Sequence, residues 1–208
     1  MQAYAAAVKK LILNSKFLFT YKEDETSVLF EKAIYTSPET IADCLIFSKS
    51  KGLIGVEIKT AHDSKARLRR QLHGYTLACD YTWVLIHDTK LAEVSDILED
   101  YPSVGIICYN EIDDELVPGI VRLPLRVDID HTYTYDLAWY SELHHLLKGM
   151  GNPKIRRKRD MVNWLAKKGS YAYKLYISQW VSGYIDSNRS FSVYDFRARE
   201  EDKQSSNK

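Results

Sequence analysis

The spacing of apolar residues along the chain predicts alternating helices and strands. The Ala- and Leu-rich residues 3–15 predict a helix, with Ala7, Leu11 and Leu13 near one face. Residues 16–25 are polar and predict a loop. Three strand-like runs then cover residues 27–35, 41–48 and 53–60. Turn-forming segments separate these runs, which is typical of antiparallel hairpins.

The middle of the chain alternates between helical and buried-strand patterns. Ser64 is a cap residue for a helix that extends to about Cys79. Continuously apolar runs at residues 83–87 and 104–109 are typical of strands buried on both faces. A helix over residues 90–100 lies between them, and residues 115–128 predict one or two edge strands. The predicted order is therefore α-β-β-β-α-β-α-β, a mixed α/β protein.

From about residue 131 the pattern becomes helical. Asn152-Pro153 is a helix start signal, and Gly169 is a stop signal. The predicted helices of this part cover residues 135–149, 155–168 and 171–184. We therefore expect a core over residues 1–130, a basic helical extension over 131–198 and a disordered polar tail over 199–208.

The composition is that of a globular protein without a membrane segment. The chain has 208 residues, of which 45% are hydrophobic and 27% charged. It contains neither a transmembrane run nor a secretory signal. Its three cysteines, Cys44, Cys79 and Cys108, form no C-x-x-C pair. They indicate buried residues in a reducing compartment rather than a zinc site, which favours a cytoplasmic location.

The net charge of +1 conceals a strong segregation of charge. Residues 59–70 contain five basic residues and one acid, and residues 148–168 contain eight basic residues and one acid. Residues 91–117 contain eight acids and no Lys or Arg. This pattern predicts two basic faces and an acidic back, although ordinary solvated helix faces remain an alternative. The expected nucleic-acid contacts are Lys65, Arg67, Arg69, Arg70, Arg156, Arg157, Lys158 and Arg159.

The second and third predicted strands carry charged residues among apolar neighbours. Asp43 lies within the run 41–47, and Glu57 and Lys59 lie within the run 54–60. Because strand side chains alternate, Glu57 and Lys59 share one face, and a hairpin places Asp43 beside Glu57. Two neighbouring carboxylates repel each other, and a bound divalent cation usually offsets this repulsion.

This arrangement suits the hydrolysis of a phosphodiester bond. The two carboxylates and the backbone carbonyl of Ile58 offer hard oxygen ligands to Mg²⁺ or Mn²⁺. Such an ion neutralises the scissile phosphate and helps to deprotonate a water molecule. Lys59 can position that water or stabilise the charge that develops on phosphorus.

Asp43 followed by Glu57-Ile58-Lys59 resembles the D…E-x-K motif of the PD-(D/E)XK nuclease superfamily. The predicted element order is also similar to the restriction-endonuclease-like αβββαβ core of that superfamily. Gln71 and Tyr75 resemble the Q-x-x-x-Y element of RecB-type nuclease domains, which implies that they help to hold the active site and the substrate strand. The resemblance covers roughly residues 27–110. Within it, residues 57–75 resemble small bacterial and phage nucleases related to MmcB-type DNA-repair proteins.

Two departures from this pattern affect the expected ligand set. Ala42, and not proline, precedes Asp43, as in many members of the superfamily. Some members use a further Glu from the first helix, but residues 3–15 contain none. Glu23, Glu25 and Glu31 remain alternatives for that ligand.

The sequence therefore predicts a metal-dependent deoxyribonuclease with Asp43, Glu57, Lys59, Gln71 and Tyr75 as its site. Repair, recombination and phage or defence DNA processing are the expected settings. DNA is the expected partner, with no membrane, and a homodimer or a protein partner is left open. The alternative is an inactive nuclease-like module that binds nucleic acid or protein.

Overall fold

One six-stranded sheet organises the computed structural model, which describes residues 2–20, 24–34, 40–151 and 154–183. Neighbouring strands follow the chain order, and only the β3–β4 and β4–β5 pairs are parallel. The strands are β1 (Thr26–Ile34), β2 (Thr40–Ser48), β3 (Gly52–Lys59), β4 (Tyr81–His87), β5 (Gly105–Ile112) and β6 (Glu115–Arg122). The protein is thus a mixed α/β protein, as the sequence predicts.

The helices lie before the sheet, between its strands and after it. They are α1 (Gln2–Asn14), α2 (Phe17–Thr20), a 3₁₀ helix (Lys65–Arg67), α3 (Leu68–Ala78), α4 (Asp88–Glu99), α5 (His131–Asp136), α6 (Tyr140–Gly149), α7 (Lys158–Ala166) and α8 (Gly169–Val181). The short helix α2 lies where a loop was predicted. The start signal Asn152-Pro153 and the tail over 199–208 lie outside the described residues.

The predicted buried face of α1 is wrong by about one residue. Val8 and Ile12 are the buried side chains, whereas Leu13 is 45% exposed. Val8 and Ile12 are four apart, so they share one helix face, and they belong to the same apolar cluster as Trp83. This cluster lies between α1, α2 and one face of the sheet. It anchors α1 beside the strands that carry the acidic residues.

The C-terminal helices cover the opposite face of the sheet. Phe47 of β2 stacks on Trp180 of α8 with ring centroids 4.1 Å apart. Tyr75 of α3 belongs to the same buried cluster as Tyr135 of α5. The helices after residue 130 therefore share a core with the sheet. No described helix has the length and apolar character that crossing a membrane requires.

A buried carboxylate, Asp80, joins β3 to α8. It accepts a hydrogen bond from the Leu53 amide at 3.0 Å and another from the Tyr173 hydroxyl. The Arg126 guanidinium forms an ion pair with it at 2.9 Å. At Gly52 a side chain would place Cβ 2.3 Å from Asp80 Oδ2. The glycine at the start of β3 is therefore required by this close approach and by its φ of +88°.

Candidate active site

Strands β2 and β3 bring the two predicted acidic residues together. Their register ends with Cys44 opposite Val56, and Asp43 and Glu57, the next residues on the two strands, lie close enough for their carboxyl groups to interact. Residues in this relation have neighbouring side chains on one face. The Ile58 amide donates a hydrogen bond to Asp43 Oδ2 at 2.8 Å. The carboxylate of Asp43 is thereby held against β3.

Glu57 and Lys59 form a buried ion pair. Glu57 is 0% exposed and Lys59 is 6% exposed, and Lys59 Nζ lies 2.6 Å from Glu57 Oε1. Lys59 also donates to the side-chain oxygen of Gln71 at 3.0 Å, which brings a third predicted residue into the site. The second oxygen, Glu57 Oε2, is buried and has no hydrogen-bond partner among the described residues.

The electrostatics of the two carboxyl groups favour a further cation. Burial, and then the charge of Asp43, raises the pKa of Glu57 to about 8, against the opposing effect of Lys59. Burial also raises the pKa of Asp43, although the Ile58 amide and Lys59 act in the other direction. Ionising both groups at once is therefore unfavourable with Lys59 as the principal nearby positive charge. A divalent cation would offset this repulsion.

Tyr75 packs against strands β2 and β3 next to the two carboxylates. Its hydroxyl accepts a hydrogen bond from the Asp43 amide at 2.8 Å and donates one to the Val56 carbonyl at 3.1 Å. Its ring lies over Gly55, where an added Cβ would be 2.2 Å from Tyr75 Cδ1. Gly55 is the sequence signal for this contact, because a glycine inside a strand often marks a close approach.

Tyr75→Phe tests this supporting role. Loss of the hydroxyl removes both of these hydrogen bonds, which should lower the free energy of unfolding by about 1–3 kcal/mol. At roughly 2–4 °C per kcal/mol for a chain of this size, the Tm should fall by several degrees. Thermal denaturation measures the effect. Tyr171→Phe is the control, since Tyr171 is 69% exposed, and equal Tm values for the two variants would contradict the assigned role.

The site opens into a cavity of about 470 Å³. Asp43, Glu57, Ile58, Lys59 and Gln71 line it, as the sequence predicts for a common site. Tyr75 is not among the lining residues. The other lining residues are Ala6, Val8, Lys9, Glu31, Thr60, Asp63 and Arg67. Sequence reasoning missed Lys9 and Asp63, and no motif marks either of them.

The first basic cluster, which is formed by the five basic residues of segment 59–70, is divided between the cavity and helix α4. Of its members outside β3, Arg67 lines the cavity, and Arg70 is exposed. Arg69 pairs with Asp100, and Lys65 Nζ lies 3.9 Å from Asp96 Oδ1. Acids at the C-terminal end of the α4 region therefore pair with part of the basic cluster, so the basic and acidic surfaces adjoin here.

The second basic cluster, Arg156, Arg157, Lys158 and Arg159, does not line the cavity. Helix α7 begins at Lys158, not at the predicted residue 155, so Arg156 and Arg157 precede it. Lys158 pairs with Asp136 at 2.7 Å, which commits this residue to a contact with α5. Arg156, Arg157 and Arg159 are exposed, and none of the four is a lining residue.

The three alternatives for a further acidic ligand have different surroundings. Glu25 is exposed and pairs with Lys49 at 2.6 Å, away from the cavity. Glu31 lines the cavity and pairs with Lys9 at 2.5 Å. Glu23 lies outside the described residues.

The donor set suits a hard divalent cation. Asp43 and Glu57 offer carboxylate oxygens, and Ile58 beside them offers a backbone carbonyl. Mg²⁺ and Mn²⁺ prefer oxygen ligands of this kind. Within the described ranges no group of three or more His, Cys, Asp or Glu side chains is close enough to hold a metal. The fit therefore depends on two carboxylates, and above all on the unpaired buried oxygen of Glu57.

Comparison with known proteins identifies a phage family. The family model described as Bacteriophage P4 protein cII matches residues 2–189. Because the match spans most of the chain, the protein belongs to this family. No curated protein and no solved structure gives a significant match. The family description states no chemistry.

Proposed function

We propose that this member of the P4 cII family is a metal-dependent deoxyribonuclease related to the PD-(D/E)XK superfamily. The observation that carries the proposal is the convergence of Asp43, Glu57 and Lys59 in one cavity, with a buried oxygen of Glu57 left unpaired. Phosphodiester hydrolysis calls for this combination of two carboxylates and one ammonium group. The family membership favours a phage setting.

Each residue of the site has a distinct task in this proposal. Asp43, Glu57 and the Ile58 carbonyl would hold Mg²⁺ or Mn²⁺, which supplies charge neutralisation at the phosphate and a more acidic water. Gln71 accepts a hydrogen bond from Lys59 at 3.0 Å and so fixes the direction of the ammonium group. Lys59 can then donate to a phosphate oxygen whose negative charge increases during the reaction.

The Lys59 ammonium provides a direct test of this assignment. We expect the wild-type protein to cleave DNA in Mg²⁺ or Mn²⁺, and we expect EDTA to abolish cleavage. Lys59→Ala should reduce the rate by about 10²–10³-fold, the usual effect of removing one preorganised donor. The assay follows the cleavage of labelled single-stranded, double-stranded and branched DNA. Lys51→Ala is the control, because Lys51 does not line the cavity.

The competing function is an inactive nuclease-like module that binds DNA without turnover. The absence of a third acidic ligand within the described residues favours this reading. Such a module would bind DNA in a salt-dependent manner, and neither EDTA nor Lys59→Ala would change its affinity. Binding without cleavage in every metal tested would contradict the nuclease proposal and support the module.

A further inference from the structure

Lys9 of α1 reaches the cavity beside the catalytic strands. Its ammonium group lies 2.5 Å from Glu31 Oε1 and 5.3 Å from the centroid of the Phe30 ring. Both side chains of the pair are partly exposed, at 35% for Lys9 and 37% for Glu31. Ion pairs with this much solvent access are weak. An incoming anion can therefore replace Glu31 as the partner of Lys9.

Glu31 occupies an unusual backbone position within β1. Its neighbours Phe30 and Lys32 pair with Cys44 and Ala42, so Glu31 stands opposite Asp43. Its φ is +55°, in the left-handed region that a residue with a Cβ rarely adopts. Strained positions of this kind concentrate at functional sites. The carboxylate of Glu31 contacts Lys9 and does not complete a three-acid cluster with Asp43 and Glu57.

We propose that Lys9 and Glu31 form a phosphate gate at the cavity. Lys9 binds a backbone phosphate of the DNA strand next to the scissile bond, and this phosphate displaces Glu31. This inference rests on the proposed function, because it takes DNA as the substrate.

The charges around the pair explain why Glu31 opposes DNA binding. A lysine ammonium is a compact charge that binds phosphate well. Glu31 competes with the phosphate for Lys9 and adds negative charge to a cavity that already contains Asp43, Glu57 and Asp63. A DNA strand binds when one of its phosphates displaces Glu31 from Lys9. Anions with a lower affinity for the ammonium group do not displace Glu31.

Substitutions at the two positions should change DNA affinity in opposite directions. Lys9→Gln removes one phosphate contact, so the Kd should rise about 5- to 10-fold, and the salt slope should fall by about 0.7 for a single strand. Glu31→Gln frees Lys9, so the Kd should fall about 3- to 10-fold. Fluorescence anisotropy with a labelled single-stranded oligonucleotide in EDTA measures both effects without cleavage.

Two matched controls isolate the pair from general charge effects. Lys10→Gln removes the neighbouring exposed lysine of α1, and Glu25→Gln breaks the exposed pair with Lys49. Each should leave the Kd within about twofold of wild type, because neither residue lines the cavity.

The outcomes separate this inference from the nuclease proposal. An unchanged Kd for Lys9→Gln, or weaker binding by Glu31→Gln, overturns the gate. If Glu31→Gln instead removes Mn²⁺ binding, Glu31 is a cation ligand, which also overturns the gate. Opposite shifts in Kd from a protein that cleaves no DNA support the competition between Glu31 and a DNA phosphate for Lys9, and they overturn the nuclease proposal.

Discussion

Asp43→Asn and Glu57→Gln should each reduce Mg²⁺-dependent DNA cleavage by on the order of 10³-fold, equivalent to about 4 kcal/mol. Each change removes a negative charge from the proposed cation site at almost constant side-chain volume. Glu57 contributes a buried oxygen that has no hydrogen-bond partner among the described residues and is therefore free to bind the cation. Asp43 holds its position by accepting a hydrogen bond from the Ile58 amide, and an amide side chain can keep that bond.

The matched controls for this result are two exposed acids outside the cavity. Glu99→Gln and Asp114→Asn also remove one negative charge each, and both should retain the wild-type rate. Circular dichroism and DNA binding in EDTA show whether the inactive variants remain folded and competent to bind. A folded Glu57→Gln protein that cleaves DNA at the wild-type rate would falsify the assignment of Glu57.

Glu57→Gln should also weaken the pH dependence of the stability of the metal-free protein. The pKa of Glu57 is raised from 4.5 to about 8 by burial and by Asp43, so between these pH values the folded state retains a proton that the unfolded state releases. The free energy of unfolding of the wild type therefore falls as pH rises through this window. The variant lacks this titration, so its Tm should fall less than that of the wild type when the pH rises from 5 to 9.

Magnesium should stabilise the wild type more than the variant. A cation that binds the ionised carboxylates stabilises the folded wild type by mass action. The variant has lost one of the two carboxylates, so its Tm should respond little to Mg²⁺. Thermal melts from pH 5 to 9, in EDTA and in Mg²⁺, measure both effects. If the Tm values of the two proteins change with pH in parallel, and Mg²⁺ shifts both by the same amount, the stability does not depend on the ionisation of Glu57.

The centre of the site could be predicted because local rules determine it. Alternation along β3 places Glu57 and Lys59 on one face, and the short turn between β2 and β3 sets Cys44 opposite Val56, next to Asp43 and Glu57. The four-residue spacing places Gln71 and Tyr75 on one face of α3. The structure confirms the mixed α/β fold, and it brings Lys59 and Gln71 into direct contact.

The rim of the site could not be predicted because it depends on contacts between distant segments. Lys9 reaches the cavity because Val8 and Ile12 anchor α1 against the sheet, and the apolar pattern of α1 also allowed a neighbouring face. The left-handed conformation of Glu31 is not encoded by a glycine or an asparagine. Arg69 pairs with Asp100, which lies 31 positions further along the chain, and charge counts over local windows do not reveal such pairing.

The most direct test of the central claim is a crystal structure of the wild-type protein soaked with Mn²⁺, with the ion located by its anomalous scattering. We predict one peak in contact with carboxylate oxygens of both Asp43 and Glu57. A crystal at a pH and an Mn²⁺ concentration that support cleavage, with no peak there or with the ion bound elsewhere, would contradict the account.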